Sequence, residues 1–220
     1  MRECSIPRFK PCARGRLPGT SQMDQKPSGT GYAIWLMPGG QTKRHLTQRI
    51  HALSRRFSSP RFEPHVTLIS GITRPEQEAL SQSAALARRL QPFKIRLAQV
   101  GFLDEYFRCL FLRVIPTDAL RGAHQMAREV FGLTRQPAYM PHLSLLYGKL
   151  SMDTKKRFAL RPSIDASFQV SRIHLYSVDG PPANWQPAGT FSLRQLPRHL
   201  LESVAVKQRL RSETPSKRLE

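Results

Sequence analysis

The sequence of 220 residues has few acidic residues, few cysteines and no long apolar segment. It contains 15 Asp and Glu residues and 35 Lys and Arg residues, which gives a formal net charge of +20. Such an excess serves solubility or favours anionic partners such as nucleotides and RNA. The 3 scattered cysteines supply neither a disulfide framework nor a zinc-binding spacing, which suits a reducing compartment. No apolar run approaches the roughly 20 residues of a membrane span, so no membrane partner is expected.

Composition divides the chain into a central body and two basic ends. Residues 1–29 are rich in Pro, Gly, Ser and Arg and are predicted to be disordered, and 197–220 is predicted to be a basic tail, weakly helical over 199–210. The body, 30–196, still carries 23 basic and 10 acidic residues. The N-terminus has no apolar signal segment, so we expect a cytoplasmic protein, with nuclear or organellar targeting left open by the Arg-rich start. We expect a monomer.

The body contains an internal repeat. An apolar run over 33–37 ends at Pro38, and a Pro-His pair begins 26 positions after that proline. A second apolar run, over 110–115, ends at Pro116, and another Pro-His pair begins 25 positions later. Between these landmarks, each half has a segment with apolar residues at helical spacing. Each half therefore predicts a strand, a helix and a second strand.

Periodicity and turn signals extend this prediction to the rest of the body. The predicted fold is α+β, with two pseudo-symmetric β-α-β lobes whose antiparallel sheets flank a central cleft. The predicted helices cover 46–57, 75–90 and 118–131, and the predicted strands cover 33–37, 64–68, 93–100, 110–115, 141–145, 173–178 and 190–196.

The two closing strands carry the same motif, Pro-His-apolar-Thr/Ser-Leu, over 64–68 and 141–145. Side chains at positions i and i+2 of a strand share a face, so His65 is expected beside Thr67 and His142 beside Ser144. One such motif would be a weak signal. Two at equivalent places in a repeat are hard to attribute to chance and indicate a shared site.

The four motif residues fit the chemistry of a cyclic phosphate. Its hydrolysis is an in-line displacement, in which water attacks on one side of phosphorus while an oxygen leaves on the other. One imidazole can accept the water proton and the other can protonate the leaving oxygen, because histidine titrates near neutral pH. The Thr67 and Ser144 hydroxyls can donate to the non-bridging oxygens, where charge develops. This chemistry requires no metal and no cofactor.

Two other interpretations of the histidines compete with this one. Either His65 or His142 alone could be a half-buried core residue, and zinc binding by both lacks a third ligand at suitable spacing. The remaining histidines lack the motif and are interpreted as surface or structural: His45, His51, His124, His174 and His199.

The sequence resembles the 2H phosphoesterases, and more narrowly their plant and fungal cyclic phosphodiesterase branch. The residues that carry this resemblance lie at 32–38, 60–68, 106–112 and 139–147. The resemblance implies a bilobal fold with a central cleft. It also implies hydrolysis of ADP-ribose 1″,2″-cyclic phosphate and of nucleoside 2′,3′-cyclic phosphates to 2′-phosphates, with His142 as the base and His65 as the acid.

The resemblance also suggests substrate-binding aromatic residues. Trp35 and Tyr147 match cleft residues of the family, although either could instead serve packing, and Phe107 or its neighbour Tyr106 is expected to stack on the base. Arg61 could help to hold phosphate, although a solvent-facing role is favoured, and Cys109 is expected in the core. Two alternatives stay open: an enzyme for RNA ends, in the manner of 2′-5′ RNA ligase relatives, and a non-catalytic nucleotide- or RNA-binding module.

Overall fold

A computed structural model describes residues 29–133, 138–160 and 166–194 of the chain. The predicted N-terminal extension, apart from Gly29, lies outside the described residues, and so does the whole predicted C-terminal tail with its helical stretch. None of the helices within the described ranges is long and apolar enough to cross a membrane.

The described chain alternates strands and helices. The helices are α1 (Gly40–Phe57), α2 (Glu76–Arg89), α3 (Asp118–Phe131) and α4 (Met152–Ala159). The strands are β1 (Tyr32–Leu36), β2 (Val66–Ile72), β3 (Phe93–Gly101), β4 (Leu110–Val114), β5 (His142–Leu146), β6 (Ser167–Val170), β7 (Arg172–Ser177) and β8 (Gln186–Ser192). Two short 3₁₀ turns cover Tyr106–Arg108 and Pro182–Asn184.

Local sequence accounts for both ends of α3 and for the buried face of α1. In α3, the Thr117 hydroxyl accepts a hydrogen bond from the backbone N–H of Leu120 at 3.2 Å, and Gly132 closes the helix at a φ of 65°. In α1, Leu46 and Ile50 are buried on one face, as their spacing predicts. The three predicted helices are confirmed.

Three elements differ from the sequence prediction. Helix α4 and strand β6 were not predicted, and the predicted strand at 190–196 begins earlier, at Gln186, and ends at Ser192. The first half of β8 has little apolar alternation, and its strand geometry comes from pairing with β7. The pattern within one segment does not show which strand the segment will pair with.

The strands form one antiparallel sheet in the order β6-β3-β4-β5-β2-β1-β7-β8. The sheet consists of two four-stranded halves, each with a motif strand, β5 or β2, at its inner edge. The two halves meet through the single residue pair Val66 and Leu143. The two predicted sheets are therefore continuous, and the motif strands lie side by side at the junction.

The two repeat helices pack across this junction. Helix α1, which connects β1 to β2, contacts β5 of the other half, and α3, which connects β4 to β5, contacts β2. Helix α2 packs on β7, β8 and α3. The α+β, pseudo-symmetric fold expected from the sequence is confirmed, with the addition that each repeat helix covers the motif strand of the other repeat.

Candidate active site

The two motifs lie side by side at the centre of the sheet. Val66 and Leu143 are fully buried in the core, so the alternation of the strands turns their neighbours to the opposite face. Extending the antiparallel register by one residue each way puts the histidine of each motif opposite the hydroxyl residue of the other.

All four predicted catalytic residues line one cleft of about 470 Å³. The three predicted binding residues, Trp35, Phe107 and Tyr147, line it as well. Tyr106, the alternative to Phe107, contributes instead to a smaller depression at the far end of β5. The remaining lining residues are Gly29, Thr30, Ala33, Ser70, Gly71, Arg108, Val178 and Trp185.

Both catalytic candidates are held in the same tautomer. Nδ1 of His65 lies 2.6 Å from the carbonyl oxygen of Glu63, and Nδ1 of His142 lies 2.9 Å from the carbonyl oxygen of Met140. A carbonyl oxygen only accepts, so Nδ1 carries the hydrogen in both rings. The lone pair of each neutral imidazole is therefore on Nε2, the nitrogen that is left for proton transfer.

Burial disfavours the charged form of both imidazoles in the free protein. It lowers the pKa of His65 to about 4, against the smaller opposing effect of the hydrogen bond to Glu63, and a charge on His142 would lower that pKa further. Burial also lowers the pKa of His142, against the hydrogen bond to Met140; the positive charge of Arg108 acts in the same direction as burial, and the negative charge of Glu105 opposes it. Because a positive charge on one ring disfavours protonation of the other, at most one of the two histidines is readily protonated.

The two hydroxyls of the motifs differ in their hydrogen bonding. The Ser144 hydroxyl donates a hydrogen bond to the carbonyl oxygen of Phe107 at 3.0 Å. Thr67 accepts a hydrogen bond from the Tyr139 hydroxyl through its backbone carbonyl, at 3.3 Å. No described residue bonds to the Thr67 hydroxyl itself, so it can donate to a ligand directly, whereas Ser144 must first turn away from Phe107.

Trp35 forms the wall behind one histidine. Its ring stacks on His65 with centroids 3.6 Å apart and planes 6° apart, and on Tyr176 with centroids 3.9 Å apart. The residue is only 3% exposed. Since His65 and Tyr176 make no ring contact with each other, they cover opposite faces of the indole, and neither face is open to a nucleotide base.

Tyr147 reaches the cleft because β5 ends just before it. On a continuing strand it would have the opposite parity to His142, but the strand stops at Leu146. Its ring stacks on Phe62 at a centroid distance of 3.8 Å, and burial raises the pKa of its hydroxyl. Phe107, in contrast, is only half-buried and offers the cleft an aromatic surface.

A buried lysine positions the loop that carries Phe107. Lys155, on α4, donates to the carbonyl oxygen of Leu103 at 3.1 Å and to the carboxylate of Asp104 at 2.8 Å. Its side chain is 1% exposed, so these bonds satisfy a charge that would otherwise be costly to bury.

Sequence reasoning did not single out Arg108 and Trp185. Arg108 lies in the 106–112 block of the resemblance and is bonded to Glu105 at 2.8 Å. Trp185 is one of 2 tryptophans in the chain, which is the signal that could have drawn attention to it. Its indole N–H donates to the carbonyl oxygen of Gly180 at 3.1 Å.

The other singled-out residues lie away from the cleft. Arg61 is exposed and lines a neighbouring depression. Cys109 is a buried, free thiol in the core, as expected. His124 bonds to the backbone of β2 and stacks on Tyr139, a structural role, while His45 and His174 lie on α1 and β7. His51 lies on α1, and His199 is outside the described residues.

No group of three or more His, Cys, Asp or Glu residues within the described ranges is placed to hold a metal ion.

Comparisons with known proteins identify relatives of the chain. A sequence model of the 2′-5′ RNA ligase superfamily matches residues 40–182. A cyclic phosphodiesterase of Arabidopsis thaliana is 29% identical over 154 residues, which cover 67% of this chain and 85% of that protein. A 2′,3′-cyclic-nucleotide 3′-phosphodiesterase of Yarrowia lipolytica is 32% identical over 119 residues, 50% of this chain and 52% of that protein.

Solved structures share the fold. Escherichia coli LigT, crystallised with 3′-AMP, matches with a TM-score of 0.51 and 16% identity, covering 76% of this chain and 99% of LigT. A protein of Thermus thermophilus matches with a TM-score of 0.53 and 21% identity, covering 75% of this chain and 98% of that protein. The family match spans both motifs and most of the described sheet, and it confirms the resemblance to 2H phosphoesterases: the chain belongs to the 2′-5′ RNA ligase superfamily.

Proposed function

We propose that this protein is a cyclic phosphodiesterase in which His65 and His142 form the acid–base pair. The observation that carries the proposal is the matched pair of imidazoles in one cleft, each held through Nδ1 with Nε2 left for proton transfer. Its relatives in plants and yeast are named as phosphodiesterases of cyclic phosphates and cyclic nucleotides.

The reaction needs one neutral and one protonated histidine. The Nε2 lone pair of His142 accepts a proton from water as the water oxygen bonds to phosphorus. On the opposite side, the bond from phosphorus to the ribose 3′ oxygen breaks, and Nε2–H of His65 gives that oxygen its proton. The product is a 2′-phosphate. Proton exchange with solvent then removes the proton from His142, and His65 regains a proton when the next phosphate binds.

The order of roles is taken from the resemblance, because burial by itself lowers the pKa of His65, the proposed acid, to about 4. Arg108 disfavours a proton on His142, as a base requires, while the charge of its partner Glu105 acts in the opposite direction. The indole of Trp35 lies flat on His65 and favours an imidazolium through its negative π face. The negative charge of a bound phosphate offsets the burial that keeps the pKa of His65 low in the free protein.

The hydroxyls and aromatic residues have supporting roles in this proposal. Thr67, and Ser144 once it turns from Phe107, donate to the non-bridging oxygens of phosphorus. Phe107 offers its ring to the base of the nucleotide. Nucleoside 2′,3′-cyclic phosphates are the proposed general substrates. ADP-ribose 1″,2″-cyclic phosphate is the more specific candidate, by resemblance to the plant and fungal enzymes.

An enzyme for RNA ends is the second candidate, and a specific observation favours it. Helix α1 contains five Lys or Arg residues and no acidic residue, and it borders a depression beside the cleft. A polyanion would find a positive surface there. Catalysis on long RNA would fall steeply with salt, while a substrate with one phosphate would show little salt dependence.

The test is steady-state hydrolysis of adenosine 2′,3′-cyclic phosphate in the presence of EDTA. We expect turnover to the 2′-phosphate, and a loss of about 10²-fold or more in kcat in each of His65→Ala and His142→Ala. His45→Ala, an exposed histidine on α1, is the matched control and should retain activity. Loss of wild-type activity in EDTA would reject the metal-free mechanism. Retained activity in either cleft variant would reject the paired roles.

A further inference from the structure

A second depression, of about 360 Å³, adjoins the catalytic cleft. We call it the side depression. Trp35 and Trp185 line both concavities, so these two indoles form the partition between them. On one face of Trp35 lies His65, and on the other lies Tyr176, which lines the side depression. The indole of Trp35 therefore separates the side depression from the imidazole of His65.

The lining of the side depression is basic as well as aromatic. Lys43 and His51 enter it from the same face of α1, and Arg61 enters from the segment before β2. Lys43 pairs with Glu63 at 3.0 Å, so one positive charge is already balanced. Arg61 is exposed and forms no ion pair with any described residue. Its guanidinium is the charge that is left for a ligand.

We propose that the side depression binds a phosphate attached to the 5′ oxygen of the ribose whose cyclic phosphate reacts, with Arg61 as its main ligand. This inference rests on the proposed function. If the cyclic phosphate at the 2′ and 3′ oxygens sits at the histidines, the 5′ carbon is on the opposite edge of the same ribose. A guanidinium is suited to this position because it binds phosphate oxygens through two parallel hydrogen bonds.

Two substrate classes have a phosphate at this place. In an RNA end it is the internucleotide phosphodiester, and in ADP-ribose 1″,2″-cyclic phosphate it is the pyrophosphate on the 5″ oxygen. Both present an anion one ribose away from the reacting phosphorus. The side depression thus distinguishes substrates with this second phosphate from simple nucleoside cyclic phosphates.

The kinetic test compares adenosine 2′,3′-cyclic phosphate with the same compound carrying a 5′-phosphate. We expect wild-type kcat/KM to be about tenfold higher for the 5′-phosphorylated substrate, as one charge-assisted contact allows. In Arg61→Gln this ratio should fall to about one. Arg55→Gln is the matched control, because Arg55 is exposed on α1 but does not line the depression. A wild-type ratio near one, or equal ratios in wild type and Arg61→Gln, would overturn the proposal.

A binding measurement separates this inference from the proposed function. Calorimetry with adenosine 2′,5′-bisphosphate and adenosine 2′-phosphate needs no turnover. Tighter binding of the bisphosphate in wild type and Arg55→Gln, lost in Arg61→Gln, would support the side depression even if hydrolysis were not observed. Equal affinities for the two ligands in wild type would reject it even if hydrolysis were confirmed.

Two further substrates identify the source of the second phosphate. A dinucleotide ending in a 2′,3′-cyclic phosphate carries the phosphodiester, and ADP-ribose 1″,2″-cyclic phosphate carries the pyrophosphate. A larger loss of kcat/KM in Arg61→Gln for the dinucleotide would assign the depression to RNA ends. A larger loss for the ADP-ribose compound would assign it to the pyrophosphate. No loss for either substrate would contradict the proposal.

Discussion

Protonation of His65 should destabilise the folded protein by a measurable amount. In an unfolded chain a histidine titrates near 6.5, whereas burial lowers the pKa of His65 to about 4 in the folded chain. Each pKa unit corresponds to about 1.4 kcal/mol, so the difference is worth about 3 kcal/mol in the free energy of unfolding.

The sign of the effect follows from proton binding. Between pH 6.5 and pH 4 the unfolded chain holds a proton at this position and the folded chain does not. The unfolded state is therefore increasingly favoured as the pH falls through this window. The contribution of His65 is fully present above pH 6.5 and is lost by about pH 4.

Urea denaturation of wild type and His65→Gln at several pH values from 7 to 4 measures this directly. Glutamine does not titrate, so the difference between the two free energies of unfolding should change by about 3 kcal/mol across the range. His45→Gln removes an exposed histidine and should follow the wild-type curve. Parallel curves for wild type and His65→Gln would refute the assignment of a depressed pKa to His65.

Three further predictions concern activity and stability. Since burial lowers the pKa of both histidines, the protonated acid is scarce at neutral pH. The value of kcat/KM, which reports the titration of the free enzyme, should therefore rise as the pH falls from 8 to 6. A kcat/KM that rises with pH would contradict this. Thr67→Val should lower kcat by about tenfold to a hundredfold. This loss should exceed that of Ser144→Ala, because the Ser144 hydroxyl already donates to Phe107. A larger loss in Ser144→Ala in a steady-state assay would be evidence against these roles. Thr117→Ala should reduce the free energy of unfolding, measured by urea denaturation, by about 1 kcal/mol, because the hydroxyl caps α3. Thr117→Ser keeps the hydroxyl and should not reduce it. Equal effects of the two variants would exclude the cap as the cause.

The parts of the fold that were predictable are those with a local cause. Helices α1 and α3 have apolar residues at helical spacing, and α3 also has a capping threonine and a closing glycine. The motif strands have an alternation that buries Val66 and Leu68 and turns His65 and Thr67 to the cleft, as predicted. Repetition of the pattern made the catalytic candidates visible without any tertiary information.

The missed elements depend on contacts between distant residues. Helix α4 is short and highly charged, and it buries Lys155, a residue that a sequence pattern assigns to the surface. Hydrogen bonds to the backbone oxygen of Leu103 and the carboxylate of Asp104 make that burial acceptable. Arg108 precedes β4 and Trp185 precedes β8, in different halves of the fold, and both line the cleft. No spacing in the sequence indicates that these two residues share a site.

Repetition accounts for the identical backbone bonds of His65 and His142, but it does not account for two different roles in one reaction. Two equivalent histidines would have the same affinity for the proton, whereas hydrolysis needs one donor and one acceptor. The difference must come from neighbours that the repeat does not share. Of the two histidines, Trp35 stacks only on His65, and the charge of Arg108 lowers the pKa of His142. The division of labour in the cleft is therefore set by residues outside the two motifs, and exchanging the motif residues alone should leave the roles at the two positions unchanged.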